Sequence, residues 1–282
     1  MAPPPANSRL ILLVLERFPD YRRMHPLVTI ATNAARAAGN FIMRSMNHID
    51  QLQIEKKGRS DFVTQVDRGA EAEIIKIIRR AYPQHAILGE ETGADGDSDT
   101  VWIIDPLDGT TNFLHGIPHF AVSIGIQVRG KLEHGVIYAP STQDLYTATR
   151  GSGAVLNNRK IRVSNAKDME SALFGTGVPI NPDLLDTYLP TMRAIAGNSA
   201  GIRRAGSAAL DLAYVACGRL DGYWEIGLKP WDIAAGLVLV REAGGIVNEL
   251  YEDGEPLQTG NVLAAGPKIY PQMAEILNAA RR

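Results

Sequence analysis

The chain has 282 residues, 45% of them hydrophobic and 21% charged, which is a globular composition long enough for one large domain or two modest ones and excludes a disordered chain. A net charge of −2 and a pI near 6.3 exclude a whole-chain basic footprint for nucleic acid. The single cysteine, Cys217, excludes an internal disulfide and fits a reducing, cytoplasmic setting.

In chain order, the apolar run over residues 10–15 comes first and is cut off by Glu16 and Arg17. It falls short of the about 7–15 residues of a secretory core and of the ~20 that span a bilayer, so no membrane association is expected. Residues 1–23 read as a peripheral extension, with Met24 a natural first residue for the single, two-lobed unit over 24–282. Helical periodicity covers roughly 26–46, and "TQVDRGAEAEIIKIIRRAYP" gives a second helix ended by Pro83. Strand patterns follow in "AILGE", "VWIID", "FAVSIGIQV", "LEHGVIYA" and "LYTATRG", and then a hairpin with Asn157-Asn158 at its turn. A helix near 182–196, a short strand "IRRAG" and the helix "SAALDLAYVACG" come next, the last with Cys217 as a small buried residue. "GYWEI", the helix "WDIAAGLVLVREAGG", the strand "GIVNEL" and a helix over about 268–281 complete the chain. This mixture predicts an α+β fold with mixed, largely antiparallel sheets.

Acidic residues recur where strands end or helices begin: Asp67, Glu90 and Glu91, Asp105 and Asp108, and Asp232. Singly, each has an ordinary reading as a helix cap, a first-turn acid, a turn residue or a solvated charge. Jointly they point elsewhere. Asp105 ends an apolar strand, Pro106 stiffens the backbone so that Asp108 folds back beside it, and Glu90 closes a second apolar strand. Converging carboxylates ionise together only around a cation, and an all-oxygen set selects a hard one: Mg²⁺, Mn²⁺ or Ca²⁺. Behind Asp108, Gly109-Thr110-Thr111 opens a helix and offers N–H and hydroxyl donors to an anion. Cation and cradle together fit a phosphate ester attacked by a metal-activated water.

At these residues the chain resembles the inositol monophosphatase family of Mg²⁺-dependent phosphatases. "WIIDPLDGTTNFLH" (102–115) and "WDIAAGLVLVREAGG" (231–245) are similar to its two signatures, with "GEE" and "DFVTQVD" upstream. The resemblance implies a layered αβαβα sandwich of the sugar-phosphatase superfamily, usually a lithium-sensitive homodimer using two or three Mg²⁺ ions. It implies that Glu90, Asp105, Asp108 and the carbonyl of Leu107 bind metal, and that Asp232 completes a second site. Asp67 would pair with Thr110 to orient the water and touch a third, weaker Mg²⁺. Gly109 and Thr110 would bind phosphate, Glu225 the substrate hydroxyls, and Gly206, Ser207 and Ala208 would line the substrate pocket. The implied reaction is hydrolysis of a small polyol phosphate, first of all myo-inositol 1-phosphate, with histidinol phosphate, adenosine bisphosphate and fructose bisphosphate as rivals. The bacterial branch further implies contact with RNA polymerase or its factors in ribosomal RNA synthesis. Lys229 stands where animal members tend to carry histidine, so substrate preference need not match theirs.

Other signals are weaker. "DGDSDT" lacks the glycine and glutamate that an EF-hand places at fixed positions and reads as a solvated loop. His115 and His119 are separated by Pro118, which argues against one helical face, and Arg203 and Arg204 read as solvated charges.

Overall fold

Helix α1 (Pro26–Met46) forms because small and branched apolar residues recur every three or four positions; Val28, Ala31, Ala35, Ala38 and Ile42 are all buried. It packs on α2 (Gln65–Ala81), and a hairpin of β1 (Ile54–Gly58) and β2 (Asp61–Thr64) lies between them in sequence. This computed structural model describes residues 24–46, 54–58, 61–179, 181–251 and 254–280, so the expected extension over 1–23 lies outside it.

Next come β3 (Ala86–Gly89), β4 (Gly93–Asp95), β5 (Thr100–Asp108), the short helix α3 (Thr110–Leu114), β6 (Ala121–Val128), β7 (Lys131–Ala139), β8 (Asp144–Thr149), β9 (Gly153–Leu156) and β10 (Arg159–Lys160). Among the described residues these strands make an eight-stranded sheet in the order β10-β9-β8-β7-β6-β5-β3-β4, antiparallel except where β3 runs parallel to β5. The β9–β10 turn uses Asn157 and Asn158 at φ 46° and 67°, the left-handed geometry that matches strand twist in a two-residue hairpin.

The second sheet, of five strands, has the order β12-β11-β13-β15-β14: β11 (Leu173–Thr176), β12 (Gly201–Arg203), β13 (Gly222–Glu225), β14 (Ile246–Asn248) and β15 (Val262–Ala265). Its helices are α4 (Leu185–Ala196), α5 (Ala208–Ala216), α6 (Pro230–Glu242), α7 (Pro256–Thr259) and α8 (Tyr270–Ala280). A 3₁₀ turn at Pro182–Leu184 leads into α4, capped by Asn181, whose Oδ1 accepts from Asp183 N at 3.0 Å. No helix among the described residues is long and apolar enough to cross a membrane.

Strand alternation divides the core into three. Val136 and Tyr138 of β7 face α1 and α2, while Ile137 and Ala139 face α5 and α6. In the second sheet Tyr223, Val262 and Ala264 face α5 and α6, whereas Trp224, Leu263 and Ala265 face α4 and α8. The result is the αβαβα sandwich that the resemblance implied, with α5 and α6 as its middle layer. Gly125 and Gly135, paired across β6 and β7, let α6 lie directly on the sheet, since a Cβ at either would run into Ala234 or Ala235.

Candidate functional site

The site is built where β3 ends alongside β5. Gly89 is level with Ile104, and Glu90 N donates to the Ile104 carbonyl at 3.1 Å, so Glu90 leaves the end of β3 beside Asp105. Asp105 does not end its strand as expected, because β5 pairs with β6 as far as Asp108. Residues three apart on a regular strand point to opposite faces. Between Asp105 and Asp108 the register against β6 slips by one residue: Asp105 pairs with Ser123, but Asp108 pairs with Ala121. This bulge, at the non-donating Pro106, turns both carboxylates toward α5 and α6 while Leu107 stays in the core beneath α1 and α2. The proline stiffens the turn as expected, but the extra residue is what puts both acids on one side.

Asp232 arrives from the middle layer. The Ser123 hydroxyl donates to the Trp231 carbonyl at 3.2 Å and so anchors the first turn of α6 over the strand partner of Asp105. Asp232 Oδ2 accepts from Lys229 N at 2.7 Å, the first-turn acid anticipated from its position. Asp108 Oδ2 accepts from Ser207 Oγ at 2.6 Å and from Ala209 N at 2.7 Å, at the N-terminus of α5.

The electrostatics are one-sided. Burial, and then Glu90, Asp108 and Asp232, hold the Asp105 carboxyl well above the usual range. Burial pushes Asp108 up to about 6, against the lowering pull of its bonds to Ser207 and Ala209. Asp232 is raised well above its ordinary value by burial, then by Asp108, Glu90 and Glu225. No cationic side chain counts among the causes for these three. Buried acids that raise one another are what a hard divalent cation relieves, and the donors are all oxygen, so the residues fit Mg²⁺ or Mn²⁺. Among the described residues, however, no three His, Cys, Asp or Glu side chains stand as a ready ligand set. Asp108 is bonded to the start of α5 and Asp232 to Lys229 N.

Asp67, in the first turn of α2, meets Thr110 across the pocket. The Thr110 hydroxyl lies 2.9 Å from Asp67 Oδ1 and 3.0 Å from the Leu107 carbonyl, and donates to one of them at a time. Gly109 takes φ 97°, and a Cβ there would come within 3.0 Å of the His119 carbonyl and 3.3 Å of that of Gly206. Only glycine fits. The first N–H groups of α3 have no intrahelical acceptor, but a five-residue helix adds little dipole to an anion seat. Asn112 Nδ2 donates to the carbonyls of His119 at 2.7 Å and Ala205 at 2.9 Å, so Gly206, Ser207 and Ala208 are tied to the same loop.

Glu225 ends β13, accepts from the Tyr223 hydroxyl, and is pushed up to about 7 by burial, with Asp108 as its raising neighbour. Two further buried acids escaped notice in the sequence. Glu71 Oε1 accepts from Glu91 N at 3.2 Å and steadies the loop that carries Glu90, and Asp211 of α5 is buried with its carboxyl against Gly175. Each had a signal, an acid placed inside the apolar stripe of a helix.

The profile of the inositol monophosphatase family matches residues 23–282. The chain is 50% identical over 254 residues to the Nus factor SuhB of Pseudomonas aeruginosa, covering 88% of this chain and 94% of that one. It superposes on the extragenic suppressor protein suhB of Bartonella henselae with a TM-score of 0.87 at 44% identity, covering 90% and 98% of the two chains. It likewise superposes on SaIMPase-II with inositol monophosphate bound, with a TM-score of 0.74 at 30% identity, covering 89% and 94%. Profile, relatives and layered fold agree, and the chain belongs to the inositol monophosphatase family.

Proposed function

We propose that residues 24–282 form one catalytic unit, a Mg²⁺-dependent phosphomonoesterase for a small polyol phosphate, with myo-inositol 1-phosphate as first substrate. The observation that carries this reading is the set of buried, mutually raised acids beside Gly109 and Thr110. Glu90, Asp105, Asp108 and the Leu107 carbonyl would hold one cation, and Asp232 would complete a second site. When bound, such a cation offsets phosphate charge and lowers the pKa of coordinated water. Asp67 and Thr110 orient the attacking water, the Thr110 hydroxyl lying 2.9 Å from Asp67 Oδ1. Gly109 and Thr110 bind phosphate, Glu225 accepts from substrate hydroxyls, and Gly206, Ser207 and Ala208 line the pocket. The bound inositol monophosphate of SaIMPase-II supports this substrate class. The family resemblance adds a homodimer, inhibition by lithium and Mn²⁺ as a substitute ion.

The test is phosphate release from a panel of polyol, histidinol, nucleoside and sugar phosphates, with and without Mg²⁺. Inositol 1-phosphate is expected to be turned over fastest, and only with the ion; hydrolysis that survives chelation refutes the reading. Thr110→Val, which keeps shape and removes the donor, is expected to lower kcat about a hundredfold. Folding stability should fall by only about 1 kcal/mol, read from denaturant unfolding.

A second reading, contact with the transcription machinery, is favoured by the name Nus factor SuhB that a 50%-identical relative carries. Co-sedimentation of the chain with purified RNA polymerase and its elongation factors tests it, and no association at micromolar concentrations would defeat it.

A further inference from the structure

Glu225 is poorly supported by its own position. It is the last residue of a strand, it faces a pocket rich in acid, and a free glutamate there would rotate away from its neighbours. Two features hold it. The Tyr223 hydroxyl, two residues earlier and so on the same face of β13, donates to Glu225 Oε2. Gly177, just past the end of β11, leaves the space that the carboxylate fills: a Cβ there would overlap Glu225 Oε1 and Oε2. Tyr223 itself is fully buried in the middle core, where a phenol finds a partner or pays for the lack of one.

We infer that Tyr223 is a positioning residue for polyol recognition: its hydroxyl, with the gap at Gly177, locks Glu225 so that the remaining oxygen lone pairs face the hydroxyls of a sugar-like substrate. The inference rests on the phosphatase reading and adds to it a reason why this pocket prefers a hydroxylated leaving group over a bare one. The phenol is a permanent donor. Burial, then Glu225 and Asp211, hold its ionisation well above the ordinary tyrosine range. Asp211 sits on α5 with its carboxyl against Gly175, the strand partner of Tyr223. Its Oδ1 is buried without a hydrogen-bond partner, and burial keeps it well above the usual carboxylate range.

The titratable groups facing Glu225 are Asp108 from β5, Asp211 from α5, Asp232 from α6, the guanidinium of Arg204 from the segment after β12, and the neutral phenols of Tyr188 from α4 and Tyr223 from β13. Of its hydrogen bonds, the one from Tyr223 is the contact that favours the ionised form. Removing it raises the Glu225 pKa further. Polyol affinity, which needs Glu225 as an acceptor, is then lost at a higher pH.

The test compares Tyr223→Phe with the parent, in saturating Mg²⁺, on myo-inositol 1-phosphate and on p-nitrophenyl phosphate, which has no hydroxyls to bind. KM for the inositol ester is expected to rise about tenfold, the size of one hydrogen bond to a charged group. The ratio of kcat/KM between the two substrates should move by the same factor against the polyol. The acidic fall of 1/KM should shift to higher pH. Equal losses on both substrates, or no loss on either, overturn the inference. Should the Phe variant melt early, Gly177→Ala serves instead, because it displaces the same carboxylate from a residue outside the tyrosine's packing. A parent enzyme that hydrolyses neither ester refutes the phosphatase reading itself, and this inference with it.

Discussion

Asp105→Asn, and equally Glu90→Gln, is expected to abolish turnover while leaving the metal-free chain more heat-stable than the parent. Asp105 is 2% exposed, and its carboxyl is raised by burial and by three other acids. The parent therefore carries an electrostatic cost whenever these groups ionise without a cation. An amide at position 105 keeps the shape and still accepts from Leu107 N through its oxygen, as Asp105 Oδ1 does at 3.0 Å. It removes the charge that a divalent ion requires. Loss of a contact that stabilises transition-state charge lowers kcat about 10²–10³-fold, and loss of the ion lowers it further. Each kcal/mol of relieved repulsion raises the melting temperature by about 2–4 °C in a domain of this size. Turnover within tenfold of the parent in saturating Mg²⁺ would show that position 105 holds no ion. A metal-free Asn variant that melts below the parent would show that repulsion is not what burial of these acids costs.

The second large effect is the dependence of Mg²⁺ stabilisation on pH. A carboxyl whose folded pKa is raised is comfortable while protonated, so its contribution to stability is intact below the unfolded value near 4 and is lost as pH rises through the folded one. For Asp108 that window runs from the ordinary aspartate value of 3.8 to about 6, and for Asp105 and Asp232 it extends upward from the same start. The metal-free chain should therefore lose stability between pH 4 and pH 6. Cations compete with protons for the same oxygens, so binding strengthens over the pH range where protons leave. Ligand at a hundred times Kd adds about 2.7 kcal/mol, which is roughly 5–10 °C here. Thermal melts with and without Mg²⁺ should show that increment at pH 8, little of it at pH 5, and almost none in Asp105→Asn at either pH. An increment independent of pH would place the ion elsewhere on the molecule.

Much of the site was legible because its chemistry depends on residue type. Acids that close apolar runs at Glu90 and Asp105 read as strand ends; Glu90 does follow the last residue of β3, but β5 runs on to Asp108 and keeps Asp105 buried within the sheet. Parallel pairing of β3 with β5 then brings them together. Gly109 was legible as a turn, but not as the point where three backbone segments crowd, because its neighbours at His119 and Gly206 are far apart in the chain. Glu71, Asp211 and Tyr223 were passed over because each sits inside an apolar pattern whose period predicts burial and nothing more. Cys217 met its expectation only in part: it lies at the end of α5 half-buried, with Arg219 and Tyr214 nearby.

Residue order alone determined which oxygens are available, that all of them but Asp105 sit at or near the ends of strands and helices, and that the chain alternates elements suited to layered mixed sheets. Those properties follow from local rules, the period of apolar residues and the conformational limits of glycine and proline. Which side of the sheet each acid faces was decided only in three dimensions. One extra residue between Asp105 and Asp108 reverses a side chain, and the hydroxyl of Ser123, 108 positions from Trp231, brings the fourth acid over the same pocket. Such placements depend on strand register and close packing between distant segments, and no local pattern encodes them.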